Sequence, residues 1–419
     1  MDAQAAFDSI RSVASEVVTE EELKALCARA TKGERPKAYI GFEPSGTAHI
    51  GWMVCTDMVR RLTAAGFDVT IFLADWHAQI NDKLGGELTA IQRCGRYMEE
   101  AFEALGVPRA SVHYLYASEF AKDPSYWALV LKVQKNTTLA RVRRAMTIMG
   151  RGEDEGDGDM SKFMYPAMQV ADIFHMGIEL AYGGLDQRHA HMLARDVAPK
   201  LGKKSPVALH TPLVPSLKAG AGRMQPKEVS SLGIAVAVSA HGDAVFDPGT
   251  PLDVIRDTLA INKVPATEIN AAILAFDFDS GKPFTYRFHF EKMSKSDPDS
   301  GIFIHDSPED IARKLKGAHC PAKEVEGNPV LDLTRLVVWP RLAALGGSFT
   351  INRPEKFGGN KAYTDFAALS ADFAAGALHP MDLKNGVAAA LAKLLEPVRT
   401  YFAKHPDNWQ FIQNLRKTR

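Results

Sequence analysis

Cysteine is scarce: Cys27, Cys55, Cys94 and Cys320 are the only four in 419 residues. They are too widely spaced for a CxxC metal knuckle and too few for a disulfide framework, so they read as reduced structural thiols, and no metal centre is expected. Long apolar runs are missing too, none approaching the ~18 residues a membrane-spanning helix needs. The first residues carry Asp2, Glu16, Glu20, Glu21 and Glu22, unlike a basic leader peptide, so a cytoplasmic protein without membrane contact is expected. Charge of either sign is not in excess: 50 basic and 50 acidic side chains cancel. Proteins that coat nucleic acid indiscriminately neutralise phosphate with a basic surplus, so the zero total excludes that class and leaves room only for a local basic track. No GxGxxG follows the first strand and no GxxxxGK[ST] occurs, which removes the dinucleotide oxidoreductase and P-loop readings. No internal repeat is present.

With 46% apolar and 24% charged residues, the chain has material for two or three cored domains. The apolar run Ala38-Tyr39-Ile40-Gly41-Phe42 breaks at Glu43-Pro44-Ser45-Gly46, and a helical pattern resumes from Trp52 to Leu62. A β-rich run, Phe67 to Ala74, precedes an amphipathic stretch with Leu88, Ile91, Cys94, Met98, Phe102 and Leu105 at helical spacing. Ser111 to Tyr116 reads as a further strand. Strands alternating with helices imply an α/β fold with a parallel, helix-covered sheet. Trp127 to Arg151 holds Lys132, Lys135, Arg141, Arg143, Arg144 and Arg151 with no acid, which alone reads as a solvated helix face. From residue 217 to 290 the pattern is hard to read, with helices expected at Leu252 to Ile261 and Ala266 to Ala275. The last hundred residues read as mostly helical.

Two short elements carry a logic for nucleotide chemistry. In Pro44-Ser45-Gly46-Thr47-Ala48-His49-Ile50-Gly51, a glycine-flanked strand-to-helix turn lets backbone approach a ligand, the helix N-terminus favours anions, and His49 can donate to phosphate oxygens. In Lys292-Met293-Ser294-Lys295-Ser296, two lysines three apart can supply positive charge where it develops on a triphosphate. A lone histidine is more often structural; a specified five-residue string is much harder to meet by chance. Tyr165, Gln169 and Asp172, at i, i+4 and i+7, form one polar stripe on a helix otherwise rich in Met164, Met168 and Ile173. Such a stripe is either a structural hydrogen-bond network or the wall of a pocket.

In this order the two elements resemble the HIGH and KMSKS signatures of class I aminoacyl-tRNA synthetases. That resemblance implies a Rossmann-like catalytic domain, ATP with Mg2+, and a two-step reaction through an aminoacyl adenylate. Trp52 departs from it, standing where the second His of HIGH is expected. Tyr165-Pro-Ala-Met-Gln-Val-Ala-Asp172 and Gly183-Gly-Leu-Asp186-Gln187-Arg188 look like the matching regions of archaeal and eukaryotic-type tyrosyl-tRNA synthetases. So do Ala74-Asp75-Trp76-His77-Ala78 and His379-Pro-Met-Asp-Leu-Lys384, and the likeness spans about residues 35 to 215 and 290 to 402. It implies that Tyr39 and Asp172 hold a substrate phenol and that Tyr165, Gln169 and Gln187 hold its ammonium group. An aspartate and a tyrosine hydroxyl left unpaired by phenylalanine make a strong rejection device, a rule for which tyrosyl enzymes are themselves the standard illustration.

The resemblance also implies an ATP site of Gly46, His49, Gly51, Gly184, Asp186, Lys292, Met293, Ser294, Lys295 and Ser296, with His49, Lys292 and Lys295 catalytic around the leaving phosphates. For tRNA(Tyr) it implies Arg144 and Arg188 near the first acceptor base pair, and His379, Pro380, Met381 and Asp382 near the first anticodon base. Trp339 is either a stacking aromatic or core. L-tyrosine as substrate and a homodimer follow from the same likeness. The expected organisation is a catalytic domain over 1–303, with an unusual insertion at about 217–290, and a mostly α-helical anticodon-binding domain over 304–419. Two alternatives stay open: a tryptophanyl enzyme, which usually lacks an acid at the position of Asp172, and a synthetase-derived binding or regulatory protein, suggested by Trp52 and the insertion.

Overall fold

The computed structural model describes residues 1–120, 122–149, 159–218, 236–238, 244–261, 264, 266–274, 283–286 and 298–417. They fall into two units, one of Met1–Leu213, Phe303–His305 and Leu395–Arg419, the other of Val214–Ile302 and Asp306–Leu394. The first unit holds a six-stranded sheet of β1 (Glu16–Val18), β2 (Lys37–Phe42), β3 (Asp68–Leu73), β4 (His113–Tyr116), β5 (Leu180–Gly184) and β6 (Val207–Thr211). Their order is β1-β6-β5-β2-β3-β4. Neighbours from β6 to β4 are parallel, and only β1 runs antiparallel, against β6.

Within Met1–Leu213 the α-helices are α1 (Ala3–Arg11), α2 (Glu20–Ala30), α3 (Trp52–Ala64), α4 (Asp75–Ile80), α5 (Leu88–Ala104), α6 (Ala117–Phe120), α7 (Pro124–Lys135), α8 (Leu139–Ala145), α9 (Tyr165–His175) and α10 (Arg188–Val197), and Glu396–Lys404 and Asp407–Lys417 join the same unit from the end of the chain. Their starts follow local chemistry. Thr19 and Glu22 close a capping box on α2, and Asp123 caps α7 just before Pro124. Ala38, Tyr39 and Ile40 are all buried, the continuous burial expected of a central parallel strand covered on both faces. The sheet order reverses at β2: β3 and β4 extend it to one side, while β5 and β6 return on the other. In such sheets ligands bind beyond the carboxyl ends of the strands at this switch. Here that edge carries the residues after Phe42 and those after Gly184.

In the second unit, Ala237–Val238, Ala244–Phe246 and Phe284–Tyr286 form a small antiparallel sheet. With helices Leu252–Ile261 and Ala266–Leu274 it encloses a core of Val236, Ala244, Phe246, Ile255, Leu259, Ile269 and Tyr286. The stretch read as difficult therefore contains an α/β module with its own interior. Helices Pro308–Gly317 and Pro380–Leu394 pack together, beside a hairpin of Phe349–Ile351 and Lys361–Tyr363 that interrupts the helical reading of this region.

Candidate active site

The turn after β2 owes its path to Gly46, whose φ of +112° lies where side chains are disfavoured and whose missing Cβ would face open space. The turn is held from several sides. Gly46 N–H donates to Cys94 Sγ at 3.2 Å, Ala48 N–H to Tyr97 Oη at 3.2 Å, and Ile304 N–H to the Ala48 carbonyl at 3.1 Å. Gly51 N–H donates to His49 Nδ1 at 3.1 Å, so Nε2 carries the ring proton and is the donor end of the imidazole. The first amides of α3, those of Trp52, Met53 and Val54, already bond the carbonyls of His49, Ile50 and Gly51. Those three amides are thus engaged within the turn. Trp52 is 4% exposed and packs on Phe42 and Phe102 at ring-centroid distances of 4.9 and 5.1 Å. Its place in the signature is an aromatic core position.

The turn after β5 sits beside this one because β2 and β5 are paired. A Cβ on Gly184 would lie 2.7 Å from Asp186 Oδ1 and 2.8 Å from Leu213 Cδ2, so glycine alone lets the Asp186 carboxylate fold over the strand end.

The polar stripe of α9 meets β2 in the interior. Asp172 is 1% and Tyr39 2% exposed. Asp172 Oδ1 accepts the Tyr126 hydroxyl at 2.8 Å, and Oδ2 lies 3.1 Å from His77 Nε2. Gln169 Nε2 donates to Gln187 Oε1 at 3.2 Å, and Gln187 Nε2 donates to the Ile148 carbonyl at 3.3 Å. This chain turns Gln169 Oε1 away from its amide partners as a spare acceptor. Tyr165 stacks edge-on against His77, with centroids 4.9 Å apart, and its hydroxyl meets the Glu43 carboxylate. Tyr39 Oη, Gln169 Oε1, Asp172 Oδ2 and both His77 ring nitrogens lack aligned hydrogen-bond partners despite their burial, even though Gln169 stands next to the Tyr39 hydroxyl. Buried polar atoms are normally satisfied, so orphans gathered in one place mark where a polar ligand belongs.

Electrostatics assigns their roles. Burial, reinforced by the Asp172 charge, pushes the Tyr39 hydroxyl far up, so it is an O–H donor at neutral pH. Burial opposes protonation of His77, but the Asp172 carboxylate, with Glu43 and Asp75, outweighs it and raises the imidazole above its ordinary value. His77 and Tyr126 were not among the residues singled out in the sequence. His77 lay in a noted family-like stretch, whereas Tyr126 belongs to no motif.

Behind Tyr39 runs a second buried line. Its ring meets His191 edge-on at 6.2 Å, His191 Nδ1 lies 3.0 Å from His210 Nε2, and His210 Nδ1 lies 2.9 Å from Glu16 Oε2. Arg188 Nε donates to both Glu16 oxygens, at 2.9 and 3.0 Å. Burial keeps His191 and His210 below their ordinary pKa, against the pull of Glu16 on His210.

Tyr39, Tyr165, Gln169, Asp172 and Gln187 are thus brought together, and Gly46, His49, Gly51, Gly184 and Asp186 occupy the adjacent sheet edge. Lys292, Met293, Ser294, Lys295 and Ser296 lie outside the described residues. Arg144 lies on α8. In the second unit, exposed His379 accepts the Met381 N–H at 3.1 Å through Nδ1, at the start of the helix carrying Pro380, Met381 and Asp382. Trp339 packs on Phe366 and Phe349. No cluster of three metal-ligating side chains occurs among the described residues, which therefore offer no dedicated magnesium cage. Magnesium is commonly carried by substrate phosphates with few protein ligands.

The sequence pattern of tRNA synthetases class I (W and Y) matches residues 31–224 and 288–396. The chain belongs to this family. Among its relatives, the tyrosine–tRNA ligase of Aeropyrum pernix is 44% identical over 399 residues, 95% of this chain and 93% of the relative. That of Saccharolobus islandicus is 39% identical over 405 residues, 97% of this chain and 96% of the relative. The tyrosyl-tRNA synthetase of Pyrococcus horikoshii, solved with L-tyrosine, superposes with a TM-score of 0.76 at 37% identity, covering 99% of this chain and all of its own. A tryptophanyl-tRNA synthetase from Aeropyrum pernix, at 18% identity and a TM-score of 0.59, shares the fold alone. The class I synthetase fold expected from the two signatures is confirmed, and the family match skips residues 225–287, within the segment read as an insertion. Among the described residues no helix is long and apolar enough to cross a membrane.

Proposed function

We propose that the chain is a tyrosine–tRNA ligase whose tyrosine pocket is the orphaned polar cluster of β2 and α9. The observation that carries the pocket is the pairing of a neutral O–H donor, Tyr39, that lacks an aligned partner with a buried carboxylate, Asp172, whose Oδ2 has no aligned hydrogen bond beyond its approach to His77. A phenol answers both: it donates to Asp172 and accepts from Tyr39. An indole N–H could donate to the carboxylate but offers Tyr39 no acceptor, which favours tyrosine over tryptophan. Gln169 Oε1, with Tyr165, takes the ammonium group, and Gln187 holds the Gln169 amide in the required sense.

In the first step a tyrosine carboxylate oxygen attacks the α-phosphorus of ATP, forming a C(O)–O–P bond as pyrophosphate leaves with the bridging oxygen. In the second a ribose hydroxyl of the terminal tRNA adenosine attacks the acyl carbon and AMP leaves. No side chain becomes covalent, so catalysis rests on alignment and on charge stabilisation at phosphorus. His49 donates through Nε2, Gly46 and Gly51 admit the nucleotide to the backbone, Asp186 beside Gly184 receives the ribose hydroxyls, and Lys292 and Lys295 supply charge to the departing phosphates. Mg2+ would arrive on the ATP phosphates and would neutralise part of their charge.

The sheet unit then serves adenylation and meets the tRNA acceptor end through Arg144 and Arg188, while the second unit carries the anticodon contacts, with His379 to Asp382 meeting the first base. The working form is a cytoplasmic homodimer. The reading as a non-catalytic relative loses its main motive, because Trp52 serves the core. Pyrophosphate exchange into ATP, measured in parallel with tyrosine, tryptophan and phenylalanine, tests the proposal. Exchange with tyrosine is expected; silence with all three overturns the activity, and exchange with tryptophan alone overturns the pocket.

A further inference from the structure

The family match stops at residue 396, yet the chain continues into the helix Asp407–Lys417, which belongs to the same unit as the sheet. That helix is fastened to α5. Asn408 Nδ2 donates to Glu100 Oε1 at 2.7 Å, and Arg93 lies over the Phe411 ring at 4.3 Å. Just before it, the Tyr401 hydroxyl donates to Glu103 Oε2 at 2.9 Å. Its Trp409 lies face to face on His305, with centroids 3.5 Å apart and planes 5° from parallel. Phe402 closes the same ring from another side at 4.5 Å.

His305 leads straight to the signature turn. Its Nε2 shares a 2.9 Å hydrogen bond with Tyr97 Oη, the same oxygen that accepts the Ala48 N–H. The neighbouring Ile304 N–H takes the Ala48 carbonyl, and Phe303 forms an isolated β-bridge with His49. Both backbone groups of Ala48 are therefore fixed by Tyr97 and Ile304, the hydrogen-bond partner and the chain neighbour of the His305 on which Trp409 stacks. In sequence this three-residue strap follows Ser296 by seven positions.

We propose that Trp409 is a positioning residue for ATP: by clamping His305 it holds the Ala48–His49 backbone so that the His49 donor faces the phosphates. The proposal rests on the ATP role given to His49 above. Trp409 touches no substrate and acts only through His305 and Tyr97.

The test compares Trp409→Ala and Trp409→Phe in the full-length chain, by tyrosine-dependent pyrophosphate exchange and by amide hydrogen exchange of peptides spanning residues 44–51. Trp409→Ala should raise KM for ATP about tenfold, the upper end of what one aromatic stack supplies, while KM for tyrosine stays within about twofold. Amide exchange of 44–51 should quicken in the same variant. Trp409→Phe, which keeps a ring over His305, should restore both readings to within about threefold of the parent. Unchanged amide exchange at 44–51 in Trp409→Ala overturns the clamp. So does an equal rise in both KM values that Trp409→Phe fails to reverse, since that describes a general loss of structure. Absence of pyrophosphate exchange in the parent chain would strike the activity assignment, and the amide measurement would still decide the clamp.

Discussion

Asp172→Asn keeps the size of the side chain and removes its charge, which isolates what the carboxylate does for a phenol. In the folded chain Oδ1 holds the Tyr126 hydroxyl at 2.8 Å and Oδ2 lies 3.1 Å from His77 Nε2. An asparagine oxygen can keep the Tyr126 bond, but its NH2 then occupies the position where a phenol would find an anionic acceptor. A hydrogen bond to a charged acceptor contributes about 1.5–3 kcal/mol, so kcat/KM for tyrosine should fall roughly 10- to 150-fold. Phenylalanine makes no such bond and should change by less than about threefold, and KM for ATP should hold within about twofold. Pyrophosphate exchange with varied tyrosine, phenylalanine and ATP measures all three. A parallel fall for tyrosine and phenylalanine, or a matching rise in KM for ATP, would refute the reasoning. Asp172 would then only support the pocket through Tyr126 and His77.

Gly184→Ala places a Cβ against the Asp186 carboxylate and Leu213, and should raise KM for ATP at least about tenfold while leaving KM for tyrosine nearly unchanged; equal ATP kinetics would show that the carboxylate yields freely. Trp52→His restores the missing signature histidine yet puts a smaller polar ring into the Phe42–Phe102 cluster. Stability should drop by roughly 2–4 kcal/mol with no gain in exchange rate, read by denaturant unfolding and the exchange assay. A more active variant of unchanged stability would reverse the assignment of Trp52 to the core. His191, kept neutral in the fold by burial and then by its neighbour His210, protonates in the unfolded chain near its ordinary value of 6.5. Its stabilising share is whole above that pH and shrinks as pH falls, by at most about 1.4 kcal/mol per unit. His77, shifted the other way, contributes below its unfolded value and loses that share as pH rises. His191→Gln should therefore lose less melting temperature than the parent between pH 7.5 and 5.5, and an equal loss would contradict the shift.

Hydrophobic period carried the fold reading furthest. The strand expected at Ala38 to Phe42, the helix starting at Trp52 and the helix Leu252–Ile261 all stand where their apolar spacing places them. β1 escaped notice because three residues on a sheet edge leave no alternation to read, and the Phe349–Ile351 hairpin strand was lost inside a run of helical composition. The pocket was legible in part. Tyr165, Gln169 and Asp172 share a stripe, but Tyr126 supports Asp172 from another helix, and only the packed fold brings them together. Local i to i+3 bonding of the first α3 amides to the carbonyls of His49, Ile50 and Gly51 is likewise a feature of the folded turn that no sequence spacing announces.

The sheet order also bears on how the chain acquires its structure during synthesis. The β2–β3 pairing joins Ala38 to Val69, an exchange between near neighbours, so the middle of the sheet can assemble early. Val18 pairs with Ala208, so the first strand to leave the ribosome must wait for the last strand of the sheet. Until β6 emerges, the carboxylate of Glu16 lacks its His210 partner, and β5 presents an open edge. The polypeptide between these pairings, including the polar cluster of Tyr39 and Asp172, therefore stays open to chaperones and proteases until about half of the 419 residues have been made, when β1 can close against β6.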